Sequence, residues 1–239
     1  MAVHRSPGTA SLHQPRRPPV SASAAAPWLL ASYLLGAIPT SYLAARVFRG
    51  IDLREHGSRN LGATNLYRVL GWRFAVPVGL FDAAKGAIPV LVFAPRISPS
   101  QLVALLCGVV AIVGHVFSVF VRFRGGKGVA TAAGVMLALT PAALGVAALV
   151  WVVLVFATGY VSLGSIAAAA VFPVAVYLLE RPDRPEILWV DVLVAAAIIW
   201  LHRANIKRLL HGTENRFGRS SRYTASGNTA AAAMLPSDT

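Results

Sequence analysis

Acidic side chains are scarce in this 239-residue chain, with nine Asp and Glu against 22 Lys and Arg. Charge of either sign makes up only 13% of the residues, where a soluble domain carries about 25%. From Gly128 to Leu179 there is no Asp, Glu, Lys, Arg or His over 52 residues. A helix needs roughly 20 apolar residues to cross ~30 Å of hydrocarbon, so this run holds at least two crossings and excludes a soluble core. Cysteine is nearly absent as well. Cys107 stands alone inside an apolar stretch, which rules out an intrachain disulfide or a cysteine metal cluster and reads as packing. The few acids are dispersed, so no metal site is visible and no cofactor is expected.

What is abundant is apolar: 56% of residues are hydrophobic and the mean hydropathy is +0.63. The expected fold is an all-α, polytopic integral membrane helix bundle. Seven segments follow: Trp28 to Ala45, Phe74 to Ala94, Leu102 to Val121, Val129 to Leu139, Ala142 to Ala157, Val161 to Leu179 and Ile187 to Leu201. The fourth is about half a crossing by length, a short or re-entrant helix whose ends protein must cover. The last is expected to continue into a basic helix around Lys207. Residues 1–26, rich in Pro, Ser, Ala and Arg, read as a disordered tail. Residues 27–214 form the membrane domain, and 215–239 a second tail.

The net charge of +13 does not signal nucleic acid, because the basic residues lie between apolar segments rather than over a solvated face. They orient the bundle instead. With seven crossings, residues 46–73, 122–127 and 203–222 share one side and hold fifteen Lys or Arg, against six on the other. The positive-inside rule then puts those loops in the cytoplasm and the N-terminus outside. Six crossings would reverse the bias; five, fusing later segments, would keep it.

The three basic loops carry the chemistry. The first reads Gly57-Ser58-Arg59-Asn60-Leu61-Gly62-Ala63-Thr64-Asn65, then Leu66-Tyr67-Arg68. Glycines let a backbone present successive N–H groups to an anion, Ser58, Asn60, Thr64 and Asn65 add neutral donors, and Arg68 can fork onto phosphate. The second, Arg122-Phe123-Arg124-Gly125-Gly126-Lys127-Gly128, opens into Val129, Ala130 and Thr131. It lacks P-loop spacing but puts a glycine turn and a lysine at a helix start, where an anion is favoured. The third, His202 to Glu214, contains a basic collar of the kind that snorkels at a membrane surface. A collar accounts for Arg203, Lys207 and Arg208, but not for Asn205 or Glu214. Asp82 and Lys85, one helical turn apart within a span, form either a structural ion pair or part of a substrate site. His115, near the second loop, either lines the site or is an interior histidine.

Four stretches taken in order, GSRNLGATNLYR, DAAKG, GHVF with RGGKGVAT, and HRANIKRLLHGTE, resemble the bacterial acyl-phosphate:glycerol-3-phosphate acyltransferase family. The resemblance runs from about Trp28 to Glu214. It implies transfer of a fatty acyl group from acyl phosphate to glycerol 3-phosphate, giving lysophosphatidic acid and phosphate, without acyl-CoA or acyl carrier protein. It further implies a cytoplasmic-facing site in the inner membrane and a soluble synthase that supplies the donor. Ser58 and Arg68 match the family's essential serine and arginine, and Gly125, Gly126 and Gly128 its glycerol-phosphate glycines. His202, Asn205 and Glu214 match functional positions of the third motif. Gly57, Asn60, Gly62, Thr64, Asn65, Lys85, His115, Lys127 and Thr131 complete the expected substrate-binding set. Arg59 stands where many members have glycine, Ala204 where many have glutamate, and Ser118 where many have proline. The rival reading is a transporter of small phosphorylated anions, which suits the broken segments and intramembrane charges. Its weakness is that the anion-binding groups gather on one face.

Overall fold

The computed structural model describes residues 22–181 and 185–217, and all regular structure among them is helical. The first apolar segment is two helices, α1 (Ala22–Ala37) and α2 (Thr40–Arg49), bent by 42° at the break. Pro39 causes the break: it has no N–H to continue the ladder. The helix already starts at Ala22, within the stretch read as a tail; residues 1–21 and 218–239 lie outside the described residues. An irregular loop leads to the short α3 (Ala63–Leu70). The long α4 (Trp72–Ile97) follows, widening into a π-type turn at Pro89–Phe93, one of the local adjustments by which membrane helices tolerate proline.

Next come α5 (Gln101–Val116) and, after the second basic loop, the apolar α6 (Val129–Leu139). Then α7 (Pro141–Thr158) and α8 (Val161–Glu180) form a hairpin, and α9 (Pro185–Leu201) and α10 (Arg203–Leu210) end the bundle. The last pair is bent by 55°, so the expected continuous helix into the Lys207 region is kinked at His202. By length and composition four helices can cross a membrane, and six if each bent pair is one span. With its 11 residues α6 reaches only about 16 Å, roughly half a bilayer core. The protein is an integral membrane bundle.

In lipid, helices associate by close packing at small residues, since lipid is as apolar as their side chains. A Cβ on Gly86 of α4 would meet the Thr131 carbonyl oxygen of α6 at 2.0 Å. A Cβ on Gly36 of α1 would meet the Ala111 carbonyl oxygen of α5 at 2.1 Å. These contacts seat α6 on α4 and α1 on α5. The core built around them includes Leu105, Ile112, Val135, Phe172, Val176 and Ile198. Large apolar side chains face outward elsewhere, Phe156 at 83% exposure and Leu193 at 67%, as a lipid-facing surface requires.

Candidate active site

Asn65, 1% exposed, builds the first loop. Its Oδ1 accepts the Ser58 N–H at 2.7 Å, and its Nδ2 donates to the His56 and Asn60 carbonyls, each at 3.0 Å. Ser41 of α2 donates to the Leu61 carbonyl at 2.7 Å, tying the loop to the broken first helix. Gly57 (φ 60°) turns the chain where a Cβ would lie 2.3 Å from Asn65 Oδ1. Arg59 takes the same left-handed conformation, φ 61°, a backbone that favours glycine. The loop so formed holds Ser58, Asn60, Gly62, Thr64 and Arg68 along one wall of a cavity of about 410 Å³.

The second and third loops also line the cavity mouth. Lys127 donates to Asn205 Oδ1, Asn205 donates to Glu214 Oε1 at 2.9 Å, and Arg208 donates to Glu214 Oε2 at 2.7 Å. Glu214 thus explains Asn205: the carboxylate orients the amide, and the amide aims the ammonium. Burial lowers the Lys127 ammonium to about 8, with Arg208 and Arg68 adding to the shift and Glu214 opposing it. Burial also pushes the Arg68 guanidinium below its ordinary value, again opposed by Glu214. Arg68 makes no hydrogen bond or ion pair among the described residues. His202 has Nδ1 at 2.8 Å from the Ile198 carbonyl oxygen. That oxygen only accepts, so Nδ1 carries the proton and Nε2 of the neutral ring is an acceptor. No carboxylate bonds to His202 among the described residues.

Two helix N-termini open into the mouth, α3 through Gly62, Ala63 and Thr64 and α6 through Gly128, Val129 and Ala130. Their unpaired N–H groups and dipoles favour an anion. Below this polar rim the cavity runs between α6, α7, α8 and α9. Its walls there are Ala133, Met136, Leu144, Ala148, Val152, Ala169, Phe172, Val194 and Ile198, among other apolar side chains.

Five of the expected site residues do not line this cavity. Lys85 is 1% exposed, paired to Asp82 at 2.8 Å and donating to the Ile38 carbonyl at 2.9 Å. Thr40 donates to the same Asp82 oxygen at 2.5 Å. The pair clamps the α1–α2 break; Asp82 borders the cavity and Lys85 does not. Gly125 and Gly126 donate their N–H groups to the carbonyls of Val116 (2.9 Å) and His115 (3.2 Å). A Cβ on them would strike His115, its carbonyl oxygen at 1.9 Å and its Nε2 at 2.2 Å. They fold the second loop onto the end of α5 and have no N–H free for phosphate. Thr131 is fully buried at the α4–α6 crossing, and Gly57 shapes the loop behind Asn65. Asn65 does border the cavity, but its amide serves the loop.

His115 lines the cavity, as expected. Ser118 donates to the Ala37 carbonyl and so holds the end of α1. The sequence reading missed Ser162, Ser165 and Asp191, all on the cavity wall. For Asp191 the signal was present: a lone acid inside a span. No group of three or more His, Cys, Asp or Glu is placed to hold a metal ion among the described residues.

The family model for glycerol-3-phosphate acyltransferase matches residues 26–212. The chain belongs to the glycerol-3-phosphate acyltransferase family. It is 47% identical over 190 residues to the glycerol-3-phosphate acyltransferase of Trichlorobacter lovleyi, covering 80% of this chain and 96% of that one. With the enzyme of Chlorobaculum parvum the identity is 42% over 223 residues, with the same coverage. The fold matches crystal structures of PlsY (YgiH), an integral membrane glycerol 3-phosphate acyltransferase. Its glycerol 3-phosphate form has a TM-score of 0.75 at 39% identity, covering 81% of this chain and 96% of that one. Its lysophosphatidic acid form gives 0.73 at 38%, covering 81% and 95%. Membership in this family of multi-pass membrane acyltransferases sets the transporter reading aside and places the chain in phospholipid biosynthesis.

Proposed function

We propose that this enzyme moves a fatty acyl group from acyl phosphate to a hydroxyl of glycerol 3-phosphate, forming lysophosphatidic acid and releasing phosphate. The observation that carries the reading is the cavity's two-part character. A mouth with two cations and two helix N-termini continues into an apolar cleft between helices, the complement of a phosphate joined to a hydrocarbon chain. The mouth offers two cations, Arg68 and Lys127, for the phosphates of the two substrates.

An acyl phosphate is a mixed anhydride with a good leaving group. Such a donor needs positioning and charge neutralisation more than a covalent nucleophile. The glycerol hydroxyl oxygen attacks the acyl carbonyl carbon, the new ester C–O bond forms, and the bond from that carbon to the phosphate oxygen breaks. Arg68 and Lys127 neutralise the phosphate charge, while Ser58, Asn60 and Thr64 supply neutral hydrogen bonds. His202 Nε2 accepts the hydrogen bond of the attacking hydroxyl and orients it. The proton ends on the departing phosphate, because no carboxylate supports His202 as a strong base. Asn205 and Glu214 act by holding Lys127.

The three basic loops line one cavity mouth and so share a side whichever way α6 is counted; their fifteen Lys or Arg support a cytoplasmic mouth in the inner membrane and an external N-terminus, which lets a soluble synthase deliver the donor. The test is to incubate purified enzyme with glycerol 3-phosphate and either palmitoyl phosphate or palmitoyl-CoA. Lysophosphatidic acid is expected from the phosphate alone; equal rates from both donors would refute the donor assignment.

A further inference from the structure

One buried acid is left over from the mechanism. Asp191 is 2% exposed, lines the cavity and has an Oδ2 with no hydrogen-bond partner. No ion pair reaches it among the described residues. Acids inside a span are costly and are normally paired or functional, and buried polar atoms almost always find partners. An orphan carboxyl on the wall of a substrate tunnel therefore has a reason to be there.

Its position supplies the reason. The α9 residues that line the cavity are Asp191, Val194, Ala195, Ile198 and His202, a single helical face. His202 sits at the mouth end, Asp191 at the other, and everything between is apolar. The two serines of the tunnel do not share that depth. Ser162 and Ser165 lie in the first turns of α8, next to Gly159, whose carbonyl accepts from Phe217 beside the third loop. Asp191 is thus the isolated polar group at the inner end of the α9 stripe, about 16 Å from His202 along the helix.

We infer that Asp191 is the floor of the acyl tunnel and sets the chain length the enzyme accepts. The inference rests on the acyl-phosphate reading above. A hydrocarbon chain gains free energy for each methylene it brings into the apolar stretch. On reaching the carboxyl, a further methylene gains nothing and covers a polar group that then has no partner at all. With carbon–carbon bonds of ~1.5 Å, an extended chain reaches that depth in about 13 carbons. Longer chains must fold back or press on the carboxyl.

The experiment measures kcat/KM for saturated acyl phosphates from decanoyl to stearoyl at fixed glycerol 3-phosphate. The parent should improve with length and then fall by about ten-fold past the floor, within the range that single methylenes discriminate. Asp191→Leu should move the fall to longer chains, and Asp191→Asn, which keeps a polar floor, should leave it in place. Superimposable profiles for parent and Asp191→Leu would overturn the inference. If the leucine variant fails to fold, the parent alone decides. At the length where the fall begins, an acyl phosphate ending in a hydroxyl should bind with a lower KM than its methyl-ended counterpart, by donating to the orphan oxygen. An equal or higher KM would overturn the inference. Should the enzyme use only acyl-CoA, the donor reading fails, and the same length series run on acyl-CoA judges Asp191 separately.

Discussion

Two clusters of charge, the buried Asp82 with Lys85 and the half-buried Arg68 with Lys127, look alike in the sequence as charged residues beside apolar segments. Their surroundings differ. Lys85 has a carboxylate at 2.8 Å and a backbone carbonyl at 2.9 Å, and Asp82 also accepts from Thr40. Asp82 borders the cavity, but the Lys85 ammonium is turned to its two partners and does not line it. Arg68 has no hydrogen-bond partner among the described residues, and Lys127 has one neutral amide, although both face the cavity. A cation whose hydrogen bonds are filled holds the fold together; one left with open donors in a cavity awaits an anion. The same contrast separates Gly125 and Gly126, whose N–H groups are bonded, from Gly128 at the open start of α6.

The strongest way to break the contrast is to unbalance the paired cluster. Lys85→Met leaves Asp82 as an uncompensated buried charge, which costs about 3–5 kcal/mol. The thermal melt of the detergent-solubilised protein should fall steeply, and the Asp82→Leu/Lys85→Met double variant should regain most of the loss. A double variant no better than the single would show that Lys85 does more than balance Asp82. Arg68→Lys should do the reverse, leaving the melt unchanged while kcat/KM falls by roughly the 1.5–3 kcal/mol of a charge-assisted hydrogen bond, since lysine keeps the charge but not the fork. A melt shift as large as that of Lys85→Met would place Arg68 among the structural residues.

Gly126→Ala tests the glycine half of the contrast. The added methyl collides with His115, and overpacking costs about 1–3 kcal/mol. Stability should therefore drop, where a pure phosphate-binding glycine would raise only the KM for glycerol 3-phosphate. The smallest effect concerns pH. Lys127 must be charged to hold phosphate and titrates at about 8 in the free enzyme, so kcat/KM should decline as pH rises through that value. Lys127→Arg should shift the decline upward, because arginine stays protonated far above it. A profile unchanged by this substitution would remove Lys127 from phosphate binding.

Much of this was legible in advance because membrane helices announce themselves by length and apolarity. The segments at Leu102, Val129, Ala142 and Val161 recur as α5 to α8 within a residue or so at their starts. Ser58, Arg68, Lys127, His202 and Asn205 converge as their motifs suggested. What a linear reading does not contain is who bonds to whom. It cannot tell that Asn65 turns inward, that Gly125 caps the end of α5, or that Lys85 reaches across to Ile38. Pro39 was a visible break signal within the first span, yet apolarity on both sides concealed the bend. Asp191 was hidden by its own neighbours, one acid in a stretch whose average is strongly apolar.

The bend at Pro39 makes α2 a lever. Its 10 residues form an arm of about 15 Å, and Ser41 fastens the first loop to it. A change of ten degrees at the pivot would carry the far end by roughly 2.6 Å, several times the ~0.5 Å tolerance of a working catalytic constellation. The Lys85 ammonium, gripping the Ile38 carbonyl beside the pivot, is the brake on that lever, so a residue behind the cavity wall steadies the aim of those that line it.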